Sequence, residues 1–229
     1  MNQVYLKKHG PIDVSKYLRP GHKPFHSPPP RWRVNNAKFL DLWRQRAVKA
    51  GIIVPKPNSL WAMRVTVASK GDESPRVCFD LRPLNAVTLP WKARIPNGRR
   101  QLNKVTAELI ARFDGDALGA FFSLVLGENS IIVVYLPVAT KVGDHIEYVP
   151  TKYAMRVLPF GWSPSPMIFA AWMAEVMDQL KPEHKELLAC FYDDFATGVK
   201  KAPDWQDRFV DLVDDVLTVM QKNGVVLKS

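Results

Sequence analysis

Two acidic stretches of this sequence hold residue types that can do chemistry. In Cys190-Phe-Tyr-Asp-Asp-Phe-Ala-Thr-Gly198, Asp193 and Asp194 stand side by side between apolar residues that read as two short strands. Burying unpaired charge is costly, so such a pair calls for cations to neutralise it, and magnesium is the natural one. An exposed hairpin turn, with the two aspartates supplying only turn geometry, fits the same segment. The second stretch is Phe113-Asp-Gly-Asp-Ala-Leu-Gly-Ala-Phe-Phe-Ser-Leu-Val-Leu126, where a carboxylate comes just before an apolar run. Metal-assisted phosphoryl transfer needs carboxylates from separate strands around two cations. One cation activates a 3′-hydroxyl and the other holds a triphosphate and its leaving group. Asp114 and Asp116 both qualify as the partner of Asp193, provided the fold brings the stretches together, and both also read as turn and strand-start punctuation.

The rest of the chain must supply that fold. Its 229 residues are 47% hydrophobic, enough for one large domain or two small ones sharing a core. The longest apolar stretches, such as Ile131 to Val138, fall short of the roughly 20 residues of a spanning helix, and the N-terminus lacks a secretory signal pattern. The expectation is an intracellular protein, in cytoplasm or nucleus, with no membrane partner. Cys78 and Cys190 each lie in an apolar run and read as buried reduced thiols. Lys and Arg number 32 against 22 Asp and Glu, a net charge of +10 that favours a polyanionic partner such as nucleic acid. Many of the cations, including Lys7, Lys8, Arg31, Arg33, Arg44, Arg46, Lys92, Arg94, Arg99 and Arg100, precede the acidic stretches, so the first half reads as the phosphate-tracking half.

Proline and glycine make residues 1 to 30 an irregular arm. Val34 to Ala50 has helical spacing, with Asn35 or Asn36 as cap and Gly51 as stop. Leu60 to Ala68 and Arg76 to Leu81 read as a hairpin joined by a turn over 70–75, Pro83 to Ile95 as a loop, and Arg99 to Ile110 as a helix. Phe121 to Leu126, Ile131 to Leu136, His145 to Val149 and Lys152 to Leu158 read as strands, and Ser163 to Leu180 as a long core helix. Leu187 to Tyr192 and Phe195 to Val199 form a hairpin around the acidic pair. A helix over Trp205 to Lys222 ends at Asn223-Gly224, and Val225 to Leu227 starts a strand. No internal repeat occurs, and mixed strands and helices indicate an α+β sheet backed by helices.

Five motifs in order resemble reverse transcriptases of gypsy-like LTR retrotransposons and related elements. They are Ala50-Gly-Ile-Ile-Val-Pro with Ser59-Leu-Trp-Ala62; Arg76-Val-Cys-Phe-Asp-Leu-Arg-Pro-Leu-Asn85; Leu158-Pro-Phe-Gly-Trp-Ser-Pro-Ser-Pro-Met-Ile-Phe169; the Asp193-Asp194 pair, where the family has Tyr-x-Asp-Asp; and Gly224-Val-Val-Leu-Lys228. The resemblance implies an α+β fold of right-hand polymerase fingers and palm, an antiparallel palm sheet backed by helices, with the thumb absent. It divides the chain into a Pro-rich basic arm (1–33), a first fingers part (34–110) and a palm (111–229) with a fingers segment near 131–157, the thumb and RNase H missing beyond it.

The resemblance also chooses between the early acids. The family's Asp is followed five positions on by an aromatic and ten positions on by Leu, which from Asp116 gives Phe121 and Leu126. It implies a catalytic set of Asp116, Asp193 and Asp194, with the Ala117 carbonyl completing the ligands of two Mg2+ ions, Mn2+ being the alternative. Lys70 and Arg76 take the triphosphate-binding positions, Phe121 the sugar gate, Phe160 the place beside the incoming nucleotide, and Arg82 and Asn85 the template, with structural hydrogen bonding an equal reading for the last two. The implied partners are an RNA or DNA template with primer, deoxynucleoside triphosphates and the rest of a retroelement polyprotein. The sequence departs from the family in Phe191 for Tyr, in Tyr192 beside the acids, in Ser123 where relatives have Gln, and in a long Lys141 to Val149 segment. The competing reading is an inactive or domesticated remnant that binds nucleic acid. A phosphohydrolase using the same acids has the motif order against it.

Overall fold

The computed structural model describes residues 2–69, 75–90, 105 and 108–227. The chain divides into two units, one made of Pro11–Pro90 and Leu124–Ser165, the other of Asn2–Gly10, Trp91–Ser123 and Pro166–Ser229.

In the first unit a three-stranded antiparallel sheet has the order β1-β6-β5, from β1 (Ile53–Pro55), β5 (Val133–Val142) and β6 (His145–Met155). The sequence suggests two strands on either side of Pro150, yet β6 runs unbroken. Pro150 is the register partner of Pro137, so both missing backbone donors fall on one rung and the ladder continues past it. A two-residue turn at Gly143-Asp144 closes the hairpin, with φ +59° at Gly143, a conformation glycine adopts without strain. The second sheet is the β2–β3 hairpin, Val65–Ala68 with Arg76–Phe79.

A helix, Val34–Lys49, lies on the long hairpin, burying Ala37, Leu40 and Ala47. Within the helix the buried Asp41 is paired, Arg44 Nε and Nη2 donating to Oδ1 at 3.0 and 2.6 Å and Gln45 Nε2 to Oδ2 at 2.8 Å, and across to the hairpin Asp41 Oδ1 accepts from the Ala139 amide at 3.4 Å. The same guanidinium donates to the Pro137 carbonyl at 3.1 Å and reaches the Tyr153 hydroxyl at 3.4 Å.

The second unit is built on a three-stranded antiparallel sheet of order β4-β8-β7, from β4 (Leu109–Asp116), β7 (Leu188–Phe191) and β8 (Asp194–Lys200). The helix Trp205–Lys222 packs against β8 and buries Leu212, Val216, Val219 and Met220 at helical spacing. The helix Ser165–Met177 buries Phe169, Trp172, Met173 and Val176.

Several sequence expectations need correction. Residues 1 to 30 are not wholly irregular: Gln3–His9 is an α-helix capped by the Asn2 side chain, and Val14–Tyr17 is a 3-10 helix capped by Asp13. Arg82–Val87 is helical because Pro83 sits in the first turn, where its missing N–H costs nothing. The Val34 helix is capped by Arg33 without a side-chain bond, not by Asn35 or Asn36. Leu109 and Ile110 begin β4 and are not helical; the rest of that expected helix, apart from Val105 and Glu108, and most of the 70–75 turn lie outside the described residues. Phe121–Ser123 is a 3-10 turn, since Gly119 reverses the backbone with φ +61° and the Ser123 hydroxyl bonds back to Ala120 O at 2.6 Å. Cys78 is exposed on the two-stranded hairpin, and Cys190 is half-buried.

Arg44→Met leaves Asp41 buried without its cation and is expected to cost about 3 kcal/mol in urea unfolding. The double change Asp41→Leu/Arg44→Met is expected to recover most of that loss.

Candidate active site

The active-site candidate stands at one end of the β4-β8-β7 sheet. Antiparallel register makes Asp116 the direct partner of Asp194, with Gly115 opposite Phe195. Directly opposed side chains have Cβ atoms about 4.5–5.5 Å apart, and like charges so placed repel. Asp193 is the second residue of the two-residue β7–β8 turn, whose closing pair is Phe191 and Asp194. The Ala117 amide donates to the Asp193 carbonyl at 2.9 Å, which fixes the turn to the end of β4. Acids from both stretches therefore meet on neighbouring strands.

Their surroundings shift their chemistry. Burial pushes the Asp193 carboxyl above its ordinary value of 3.8, and the negative charges of Asp194 and Asp116 push the same way. The Cys190 thiol is pushed up to about 12, chiefly by burial and then by Asp193 and Asp194, so it stays protonated and inert. Among the described residues, no three His, Cys, Asp or Glu side chains close into a ready-made metal cage. The donor set still suits a hard divalent cation, because it offers carboxylate oxygens whose crowding a positive charge would relieve.

Two backbone features shape this corner. Tyr192 has φ +59°, and Asp193 does not share the positive φ, the pattern of a II′ turn that usually places Gly first. Gly115 has the ring of Phe195 over it, and any Cβ there would collide with that ring. Only glycine lets β4 deliver Asp116 past Phe195. Its cross-strand partner Phe195, invisible in the sequence, gives Gly115 this role.

Residues 55–229 match the protein family described as reverse transcriptase (RNA-dependent DNA polymerase). The chain belongs to the reverse transcriptase family. No curated protein matches the sequence. Among solved structures, the fold is similar to prototype foamy virus protease-reverse transcriptase (the selenomethionine-labeled CSH mutant), with a TM-score of 0.74 and 16% identity. That match covers 96% of this chain and 26% of the foamy virus protein, so the chain spans about a quarter of that relative's length. The fold is thus that of reverse transcriptase fingers and palm, antiparallel sheets with helices in an α+β arrangement.

The remaining candidates of this reverse transcriptase chain divide between the units. Ala117 and Phe121 are buried in the unit that holds the acids. Ala117 forms a bridge with Leu227, and Leu118 N–H donates to Val226 O at 2.7 Å, so the 225–227 segment runs beside the end of β4. Arg76, Arg82, Asn85 and Phe160 lie in the other unit. Arg76 is exposed at the start of β3, and Lys70 lies outside the described residues.

Arg82 pairs with Asp80, Nε to Oδ1 and Nη2 to Oδ2, both at 2.7 Å, and this bond holds the Asp80 carboxyl below its usual range. Asn85 uses both ends of its amide on the loop around Phe160, donating to Gly161 O at 2.8 Å and accepting from Ser163 N at 2.9 Å. Thr88 supports the same loop by accepting from Trp162 Nε1 at 3.2 Å. Phe160 is left exposed at the loop's crest.

The raised Asp193 pKa gives a signed pH dependence. Stability present below pH 3.8 is lost as pH rises through the higher folded-state value. Thermal unfolding of Asp193→Asn without divalent cations should therefore show the variant gaining on the native chain from pH 4 to neutral. A constant difference over that range would contradict the crowding.

Proposed function

We propose that this chain performs templated DNA synthesis, as the fingers and palm of a retroelement reverse transcriptase of the gypsy-like LTR type, within a longer polyprotein. The observation that supports it is the pairing of Asp116 with Asp194 on adjacent strands, with Asp193 beside them in the turn. In this reading the unit with β4, β7 and β8 is the palm, and the unit with the β2–β3 and β5–β6 hairpins belongs to the fingers.

Asp116, Asp193, Asp194 and the Ala117 carbonyl would hold two divalent cations, Mg2+ or in its place Mn2+. When bound, these supply charge neutralisation at the triphosphate and lower the pKa of the attacking hydroxyl. Arg76 and Lys70 bind the triphosphate oxygens and orient the α-phosphorus for in-line attack by the primer 3′-hydroxyl. Phe121 lies under the deoxyribose and leaves no room for a 2′-hydroxyl. Phe160 packs against the incoming nucleotide from a loop that Asn85 and Thr88 hold in place. Arg82 and Asn85 face the template strand, RNA or DNA, Asn85 through the loop it braces.

Primer extension by the full-length protein with Mg2+ is expected to fall on the order of 10³-fold in Asp116→Asn and in Asp193→Asn, with binding to primer–template retained. Extension equal to the native rate in either variant would refute the assignment.

A further inference from the structure

The unit that holds the acids includes Asn2–Gly10, residues remote in sequence from everything else in it. Tyr5 is buried and meets the Trp172 ring edge-on, with centroids 5.8 Å apart at 83°. Trp172 meets Phe169 at 5.6 Å and 73°, and Phe169 meets Phe121 at 5.2 Å and 60°. Phe169 is fully buried, and the four rings form one continuous chain of edge-on and tilted contacts that ends on Phe121. A second connection runs through the backbone. The Asn2 amide donates to the Ser123 carbonyl at 2.7 Å, at the end of the 3-10 turn that carries Phe121.

Asn2 is itself firmly held. Its Nδ2 donates to the Asn223 and Gly224 carbonyls at 2.8 and 3.1 Å, and its Oδ1 caps the helix by accepting from Tyr5 N at 2.9 Å. At the other end of that helix, Lys8 Nζ and His9 Nε2 reach Glu175 Oε2 at 2.7 and 3.1 Å, on the helix that also carries Phe169 and Trp172. The segment is thus pinned at both ends and by its central ring, and both routes lead to the turn around Phe121. Rings in close packing transmit displacement because the interior has no slack to absorb it.

We propose that the N-terminal segment Asn2–His9 is a specificity-positioning element: Tyr5, through Trp172 and Phe169, and Asn2, through Ser123, set the height of the Phe121 ring and so the rejection of ribonucleotides. This rests on the reading of Phe121 as the sugar gate. In this role Asn2 and Tyr5 act through Phe121.

The test is single-nucleotide incorporation by the full-length protein, comparing kcat/KM for a deoxynucleotide and the matching ribonucleotide. Phe121→Val is the reference and is expected to admit ribonucleotides. Tyr5→Ala is expected to raise the ribo-to-deoxy ratio about two- to tenfold, the range that loss of one aromatic pair provides. Tyr5→Phe should restore the native ratio, and Tyr5→Ala/Phe121→Val should be no more permissive than Phe121→Val alone. An unchanged ratio in Tyr5→Ala with a permissive Phe121→Val, or additive effects in the double variant, would overturn the proposal. Unchanged discrimination in Phe121→Val would instead remove the gate itself. Should the alanine variant fail to fold, Tyr5→Leu carries the same comparison, and native discrimination in it overturns the proposal equally.

Discussion

Asp116 and Asp194 face each other across an antiparallel rung, and Asp193 follows in the adjoining turn. A sheet does not place like charges opposite one another without cost. Here burial and the two neighbouring carboxylates act together on Asp193 and make its ionised form less favourable. The sheet nevertheless holds the arrangement through β4–β8 pairing from Asp116 to Leu109 and through the apolar packing of the Trp205–Lys222 helix. The repulsion is local and the pairing is distributed, so the fold can sustain a site that is unfavourable by itself. In the proposed reading a divalent cation would relieve that disfavoured cluster, and this would link the fold to phosphoryl transfer.

The same corner shows how close packing and backbone strain serve the acids. Gly115 lets the Phe195 ring cross β4 and brings Asp116 level with Asp194. Tyr192 takes a backbone conformation that costs a residue with a Cβ about 1 kcal/mol or more, and the turn it makes presents Asp193. Ala117 then ties that turn to β4 through the Asp193 carbonyl. In the other unit, the loop around Phe160 is fixed in a similar way, by the amide of Asn85 and the hydroxyl of Thr88. Asp193 and Phe160 each sit on a tight turn anchored by a neighbouring element.

Much of this was legible in the sequence. The apolar residues flanking Asp193-Asp194 marked a hairpin, and the 3.6-residue spacing from Trp205 to Lys222 gave that helix its observed bounds. Acids from two distant stretches were recognisable as partners, although residue spacing alone left Asp114 and Asp116 open. The register separates them: Asp114 faces Ala196, whereas Asp116 faces Asp194. What the sequence concealed depended on contacts between distant residues. Nothing near Asn2 or Tyr5 shows that they join the unit of the acids, because the partners Ser123, Trp172 and Asn223 are far along the chain. Proline misled twice, at Pro83, which a helix start tolerates, and at Pro150, whose partner is another proline. The apolar run ending at Leu126 read as a strand because alternation cannot reveal the Gly119 reversal inside its lead-in.

The most direct test of the shared-cation account is the affinity of the full-length protein for Mn2+, measured by isothermal titration with single alanine changes at positions 116 and 194. If the opposed carboxylates share cations, Asp116→Ala and Asp194→Ala will each weaken binding at least about tenfold, as loss of a ligand to a divalent site does, and the double variant will bind no Mn2+ at this site. Native affinity in the double variant would contradict the account.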